Sequence, residues 1–144
     1  MIRIDNDKMI IGYTQGTFDM FHIGHLNLLQ NARKLCNYLV VGVNSDELVL
    51  SYKQKNAIVP LDERMAIIKA LRCVDQVIAC ITLDKKVALE QVHFNRLFIG
   101  DDWKGNARWK ATEQEMKELG VELVFLPYTK NTSSTLLREK LSNL

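Results

Sequence analysis

Tyr38-Leu39-Val40-Val41-Gly42-Val43 is a run without a charged residue and without alternation of polar and apolar positions. A strand with one wet face alternates; a continuous apolar run of this length suits a strand covered on both faces. Similar runs recur at Gln76–Ile81 (QVIACI), Arg96–Ile99 (RLFI) and Val121–Leu126 (VELVFL), with a first at Met9–Tyr13 (MIIGY). Between them the period changes. Leu28, Leu29, Ala32, Leu35 and Cys36 fall on one face of a helix from Gly24, and Leu61, Met65, Ile68 and Leu71 on one face of another opened by Pro60. Ser45 is placed to cap a short helical turn with Asp46 and Glu47 at its start. Ser51–Val59 is polar, basic and aperiodic, and reads as a loop. The remaining helices are predicted over Lys85–Gln91, Ala107–Leu119, ended by Gly120, and Ser134–Lys140.

Strand–helix alternation of this kind predicts one α/β domain over residues 1–144, a parallel sheet of about five strands with helices on both faces. The length agrees with a single domain of about 150 residues. Ligands of such sheets bind beyond the carboxyl ends of the strands. The chemistry is therefore expected in Thr14–Gly24, Asn44–Val59, Gly100–Asn106 and Pro127–Ser134, the polar and Gly-rich connections.

Charge narrows the partners. Lys and Arg number 19 against 17 Asp and Glu, a net +2, too small to argue for nucleic acid or a membrane surface. No run reaches the length of a membrane span, and the acidic MIRIDNDKMIIG stretch lacks the long apolar core of a secretory leader. Cys36, Cys73 and Cys80 lie in apolar runs with no C-x-x-C, as reduced core thiols do. Together these predict a cytoplasmic protein.

The first connection, Gly16-Thr17-Phe18-Asp19-Met20-Phe21-His22-Ile23-Gly24-His25, holds two of the three histidines. At i and i+3 on a first helical turn they share a face, beside the unpaired N–H groups of the helix start. Gly16 and Gly24 permit close approach of backbone. This makes an anion site with two imidazole donors. Zinc needs at least a third ligand, and the remaining histidine, His93, has no Cys or His neighbour.

The string resembles the G-x-F-D-x-x-H-x-G-H signature of the cytidylyltransferase-like nucleotidyltransferases. Ser45-Asp46-Glu47, Lys53-Gln54-Lys55, Glu63-Arg64, Arg72-Cys73-Val74-Asp75 and Gly100-Asp101-Asp102-Trp103-Lys104-Gly105 are similar to successive blocks of its small bacterial glycerol-3-phosphate cytidylyltransferase subgroup. The likeness runs from about Tyr13 to Lys140. It implies a Rossmann-like fold, a homodimer, and transfer of CMP from CTP to a small alcohol phosphate, with magnesium held mainly by the triphosphate. Catalytic roles are implied for His22, His25, Lys53, Lys55 and Arg72. Nucleotide contacts are implied for Gly16, Thr17, Phe18, Asp19, Gly24, Asp101, Asp102, Thr129, Ser133 and Ser134. Acceptor contacts are implied for Arg64, Asp46, Trp103 and Tyr128. One block departs: where the subgroup shows R-T-x-G-I-S-T-T, this chain has Tyr128-Thr129-Lys130-Asn131-Thr132-Ser133-Ser134-Thr135. A neutral hydroxyl stands in place of a guanidinium there. The Ser-Ser-Thr-x-x-Arg end also resembles adenylyltransferases, so transfer of AMP from ATP, or nucleotide binding without catalysis, are the alternatives.

Overall fold

The computed structural model describes residues 9–101, 104–130 and 132–144. Five strands, β1 (Ile11–Gly16), β2 (Tyr38–Asn44), β3 (Gln76–Cys80), β4 (Arg96–Gly100) and β5 (Glu122–Leu126), form one parallel sheet in the order β3-β2-β1-β4-β5. Six helices join and follow them: α1 (Ile23–Arg33), α2 (Asp46–Lys53), α3 (Leu61–Lys69), α4 (Lys85–Val92), α5 (Ala107–Glu118) and α6 (Ser134–Ser142). The chain winds outward from β1 through β2 to β3, then crosses to β4 on the other side of β1. The crevice above β1 and β4 is therefore the switch point at which such folds bind ligands.

The apolar runs are buried on both faces, as their lack of alternation predicts. Leu39, Val41 and Val43 face a core shared with Leu29, Ala32 and Cys36 of the α1 segment and Ile68 of α3. Val40, Leu97 and Ile99 face a second core with Ala88 of α4 and Met116 of α5. Phe98 turns to the first core between Leu97 and Ile99 on the second, the period-two signature of a strand.

Two segments differ from expectation. β1 lies later than Met9–Tyr13: its register with β2 runs from Ile11 opposite Tyr38 to Gly16 opposite Val43. Thr14 and Gln15 join the ladder because a parallel partner offers hydrogen bonds that hydropathy does not reveal, and Met9 is left exposed. Ser51, Tyr52 and Lys53, expected in a loop, are the last turn of α2. The Tyr52 hydroxyl lies 2.9 Å from Thr17 Oγ1 and accepts from Asn44 Nδ2 at 3.1 Å, which ties that turn to the sheet.

Candidate active site

α1 opens on the two histidines. His22 is the N-cap, its Nδ1 accepting the Gly24 N–H at 3.1 Å, and His25 Nδ1 accepts the His22 N–H at 3.3 Å. This is a capping box built from imidazoles instead of a hydroxyl and a carboxamide or carboxylate. An Nδ1 that accepts carries no proton, so each ring holds its hydrogen on Nε2. The rings stack with centroids 3.8 Å apart. Gly24 is needed because a Cβ there would lie 2.9 Å from the His22 ring. Burial lowers the pKa of both rings; for His25, whose second cause is the charge His22 would carry, it falls to about 3. Both imidazoles are therefore neutral near pH 7, and each offers an Nε2–H as a hydrogen-bond donor.

The histidines line a cavity of ≈ 330 Å³ above the switch point, with Lys53, Lys85, Thr129 and the Ser133–Thr135 turn on its walls. Gly24 and Tyr128 border the same cavity. Lys53, Ser134 and the adjoining Thr135 also line a second, connected groove with Lys55, Arg138 and Thr17. The structure thus brings His22, His25, Lys53, Gly24, Tyr128, Thr129, Ser133 and Ser134 around one cavity, with Lys55 and Thr17 beside it. Some of these groups already have internal duties. Ser133 Oγ caps α6 by accepting from Leu136 N, Ser134 Oγ donates to the Asp19 carbonyl at 2.6 Å, and Thr129 Oγ1 accepts from Asn27 Nδ2.

Other expected ligands are engaged by protein partners. Arg64, expected at the acceptor, is 1% exposed; its guanidinium donates to the carbonyls of Val59, Thr17 and Asn44 and to Asp46 Oδ1. It braces the connections after β1 and β2, with Asp46 as its carboxylate partner. Asp19, expected at the nucleotide, accepts from the Ile58 and Val59 N–H groups and from Arg138. Burial alone would raise its pKa, but these three donors outweigh it and the net shift is downward. Phe18, also expected at the nucleotide, is 5% exposed in the first core and meets His25 edge-on. Gly16 sits behind it, where a Cβ would crowd the Phe18 ring at 3.1 Å. Phe18 and Met20 adopt left-handed φ of 53° and 50°, the local cost of sending the Phe18 ring inward and the Asp19 carboxylate toward residues 58–59.

Asp101 Oδ1 accepts the Tyr128 N–H at 3.0 Å, joining the connections after β4 and β5. Asp102 and Trp103 lie outside the described residues. Arg72, expected to be catalytic, is exposed and precedes β3, at the amino ends of the strands. Within one chain the structure does not bring it to the histidines.

Sequence reasoning passed over Lys85. Its side chain is buried against the cavity, and its ammonium donates to the Leu83 carbonyl at 2.8 Å. A signal was present: a lysine in the first turn of a helix opposes the helix dipole.

The sequence profile of the family described as cytidylyltransferase-like matches residues 13–140. The chain belongs to the cytidylyltransferase-like family. It is 36% identical over 138 residues to a glycerol-3-phosphate cytidylyltransferase of Bacillus spizizenii, covering 95% of this chain and 99% of that one. It is 40% identical over 100 residues to an ethanolamine-phosphate cytidylyltransferase of Dictyostelium discoideum, covering 67% of this chain and 27% of that protein. Among solved structures, it is similar to a lipopolysaccharide core biosynthesis protein from Thermoplasma volcanium. That likeness has a TM-score of 0.71 at 26% identity and covers 87% of this chain and 100% of that one. This cytidylyltransferase-like protein is thus a Rossmann-like nucleotidyltransferase, and no helix among its described residues is long and apolar enough to cross a membrane.

Proposed function

We propose that this nucleotidyltransferase moves CMP from CTP to a small alcohol phosphate, with glycerol phosphate as the first candidate, and releases pyrophosphate. The observation that carries the reading is the stacked His22–His25 pair, whose backbone bonds reserve both Nε2–H groups for an anion beside Lys53. The likeness to glycerol-3-phosphate cytidylyltransferase over nearly the whole chain supports the choice of base and acceptor.

In the reaction an oxygen of the acceptor phosphate forms a bond to the α-phosphorus of CTP. The bridging bond to the β-phosphate breaks, and its electron pair leaves with pyrophosphate. Such a transfer needs positioning and charge neutralisation more than covalent help. His22 and His25 donate to the non-bridging oxygens and Lys53 adds charge. The connected groove with Lys55 and Arg138 suits the departing pyrophosphate. Magnesium enters as part of the substrate, held by the triphosphate. The cavity wall has no carboxylate among its described residues, and Asp19 in the adjoining groove has its oxygens engaged by protein donors. The homodimer implied by the family resemblance is part of this proposal, and sedimentation tests it.

Pyrophosphate release with CTP and with ATP, across a panel of phosphorylated polyols and alcohols, tests the reading. CTP is expected to be preferred by about tenfold or more, because a pocket that pairs one base edge leaves buried groups unpaired with another. Equal use of ATP favours the adenylyltransferase alternative, and no release with either nucleotide overturns the enzymatic reading. Tyr128→Arg then probes the acceptor. If the block that departs from R-T-x-G-I-S-T-T has reshaped the acceptor's place, the variant shifts preference toward glycerol 3-phosphate over glycerol 2-phosphate. An unchanged preference refutes that reshaping.

A further inference from the structure

Both ends of α2 are fixed to the end of β2. Ser45 Oγ caps the first turn, accepting from Leu48 N at 3.1 Å, and Asn44, the last residue of β2, precedes that cap. Side chains of a helix lean toward its amino end. Tyr52, eight residues after Asn44, therefore returns to the strand end from which the helix departs. Its hydroxyl accepts from Asn44 Nδ2 at 3.1 Å and lies 2.9 Å from Thr17 Oγ1.

This anchor has a fixed direction. Gln15 Nε2 donates to Asn44 Oδ1 at 2.9 Å and to the Thr82 carbonyl at 3.0 Å. A carbonyl can only accept, so the Gln15 nitrogen must face Thr82. Asn44 then turns its oxygen to Gln15 and its two N–H bonds to Tyr52 and Thr17. On the other side, the Tyr13 hydroxyl donates to Gln15 Oε1, which leaves the Cys80 thiol as donor in the 3.2 Å contact between Cys80 and Tyr13. Asn44 is 2% exposed and Tyr13 fully buried, so water does not compete for these bonds. The line from β3 to Tyr52 has one allowed orientation for each amide.

Lys53 comes next and is the last residue of α2. Gln54, in the left-handed region at φ 56°, closes the helix and turns the chain away. Lys53 lines both the histidine cavity and the adjoining groove. No described carboxylate stands within ion-pair distance of it. Its ammonium lies over the Tyr52 ring, 5.8 Å from the centre. A lysine side chain has wide rotamer freedom, and attraction to a ring face narrows it. A carboxylate would hold the ammonium harder but would cancel the charge that a triphosphate needs.

We infer that Tyr52 is a positioning residue for Lys53. Its hydroxyl, anchored on Asn44 and Thr17, fixes the last turn of α2, and its ring keeps the ammonium where cavity and groove meet. The inference rests on the proposed role of Lys53 in the transfer and names the residue through which that role is set.

The test is a double-mutant cycle on the full chain, with magnesium CTP and whichever phosphorylated alcohol the panel selects. Tyr52→Phe, which removes the anchor, is expected to lower kcat/KM for CTP about threefold to tenfold. Tyr52→Leu, which also removes the ring, should lower it about threefold further. Lys53→Ala should lower it about a hundredfold or more. In the Lys53→Ala background both Tyr52 substitutions should change kcat/KM by less than about twofold, because nothing is left to position. A general structural role would give the same fall in both backgrounds. That result, or a Tyr52→Phe enzyme equal to the wild type, overturns the assignment while the reaction stands. Should one tyrosine variant fail to fold, the other completes the cycle. Calorimetric binding of magnesium CTP to the same proteins separates the two readings. If the wild type binds CTP without turnover, a non-additive cycle in Kd upholds the assignment and an additive one overturns it, with the reaction overturned in either case. A wild type that neither binds nor turns over CTP overturns both.

Discussion

The two ends of the sheet handle charge differently. At the amino ends of the strands, arginines meet carboxylates: Arg33 lies 3.0 Å from Asp75 and Arg96 lies 3.1 Å from Glu122. Asparagine and aspartate side chains close the backbone there, Asn37 and Asn95 accepting from Ile10 and Ile11 N–H groups and Asp75 from Leu39. At the carboxyl ends two arginines are again paired, Arg64 with Asp46 and Arg138 with Asp19. Of the lysines there, Lys86 pairs with Glu115, whereas among the described residues no carboxylate is within ion-pair distance of Lys53, Lys55 or Lys85. One end closes its sheet with arginine–carboxylate pairs. The other keeps two rigid guanidiniums for the scaffold and leaves Lys53, Lys55 and Lys85 uncompensated around the cavity and its groove, the arrangement expected of a surface that awaits an anion.

The sharpest way to break this contrast is at Arg64. Arg64→Met removes a buried guanidinium and strands the carbonyls of Thr17, Asn44 and Val59. The expected loss is about 3–5 kcal/mol of stability, the cost of leaving several buried polar groups unpaired. Urea unfolding measures it, and a loss near zero would mean that the arginine belongs with the lysines as a substrate cation. His25→Ala should divide in the opposite way. Its kcat is expected to fall about 10²–10³-fold, roughly 3–4 kcal/mol for one transition-state donor, while stability drops by about 1 kcal/mol for a lost cap. Steady-state kinetics and a thermal melt on the same sample separate the two; full activity would remove the histidine pair from the mechanism.

These two residues also show how far a sequence can be read. The histidines were legible because their function is local, two rings on one helical turn within a ten-residue string. So was the order of strands and helices, which follows from apolar runs and helical periods. The internal partners of Arg64 and Asp19 escape a sequence reading because they lie up to 47 and 39 to 119 residues away, and pairing at that range leaves no periodic trace. The last turn of α2 escapes the pattern for the same reason, since Thr17 and Asn44 hold Tyr52. Lys85 left only the faint sign of a cation in a first helical turn.

A pH titration of stability sharpens the contrast further. The His25 pKa is depressed from 6.5 to about 3 in the folded chain. Above pH 6.5 the ring is neutral in both states and contributes no pH dependence. As the pH falls toward 3, the unfolded chain takes up a proton that the folded chain refuses, so stability drops, at up to about 1.4 kcal/mol per pH unit. The wild type should therefore lose more stability than His25→Ala between pH 6.5 and 4. Parallel curves would show that the ring titrates normally. The smallest effect is expected at the closed end. Arg33→Ala breaks a partly exposed pair, so stability should change by no more than about 1 kcal/mol, with kcat unchanged. A large fall in turnover would show that the amino ends of the strands also contribute to the site.

The imidazole capping box ties heredity of the fold to heredity of the chemistry. In most helices the residues that start the first turn are free to drift among serine, threonine, aspartate and asparagine. Here drift at His22 or His25 removes an Nε2–H from the anion site and loosens the start of α1, the helix that supplies Leu29 and Ala32 to the first core. A lineage losing its need for the reaction would still meet resistance from folding when it discarded these rings. The exit that keeps the helix is the paired exchange His22→Ser with His25→Glu, which rebuilds an ordinary capping box and leaves the cavity without its imidazoles. A descendant carrying that exchange would keep the architecture and shed the chemistry, becoming a binding protein on the frame of an enzyme.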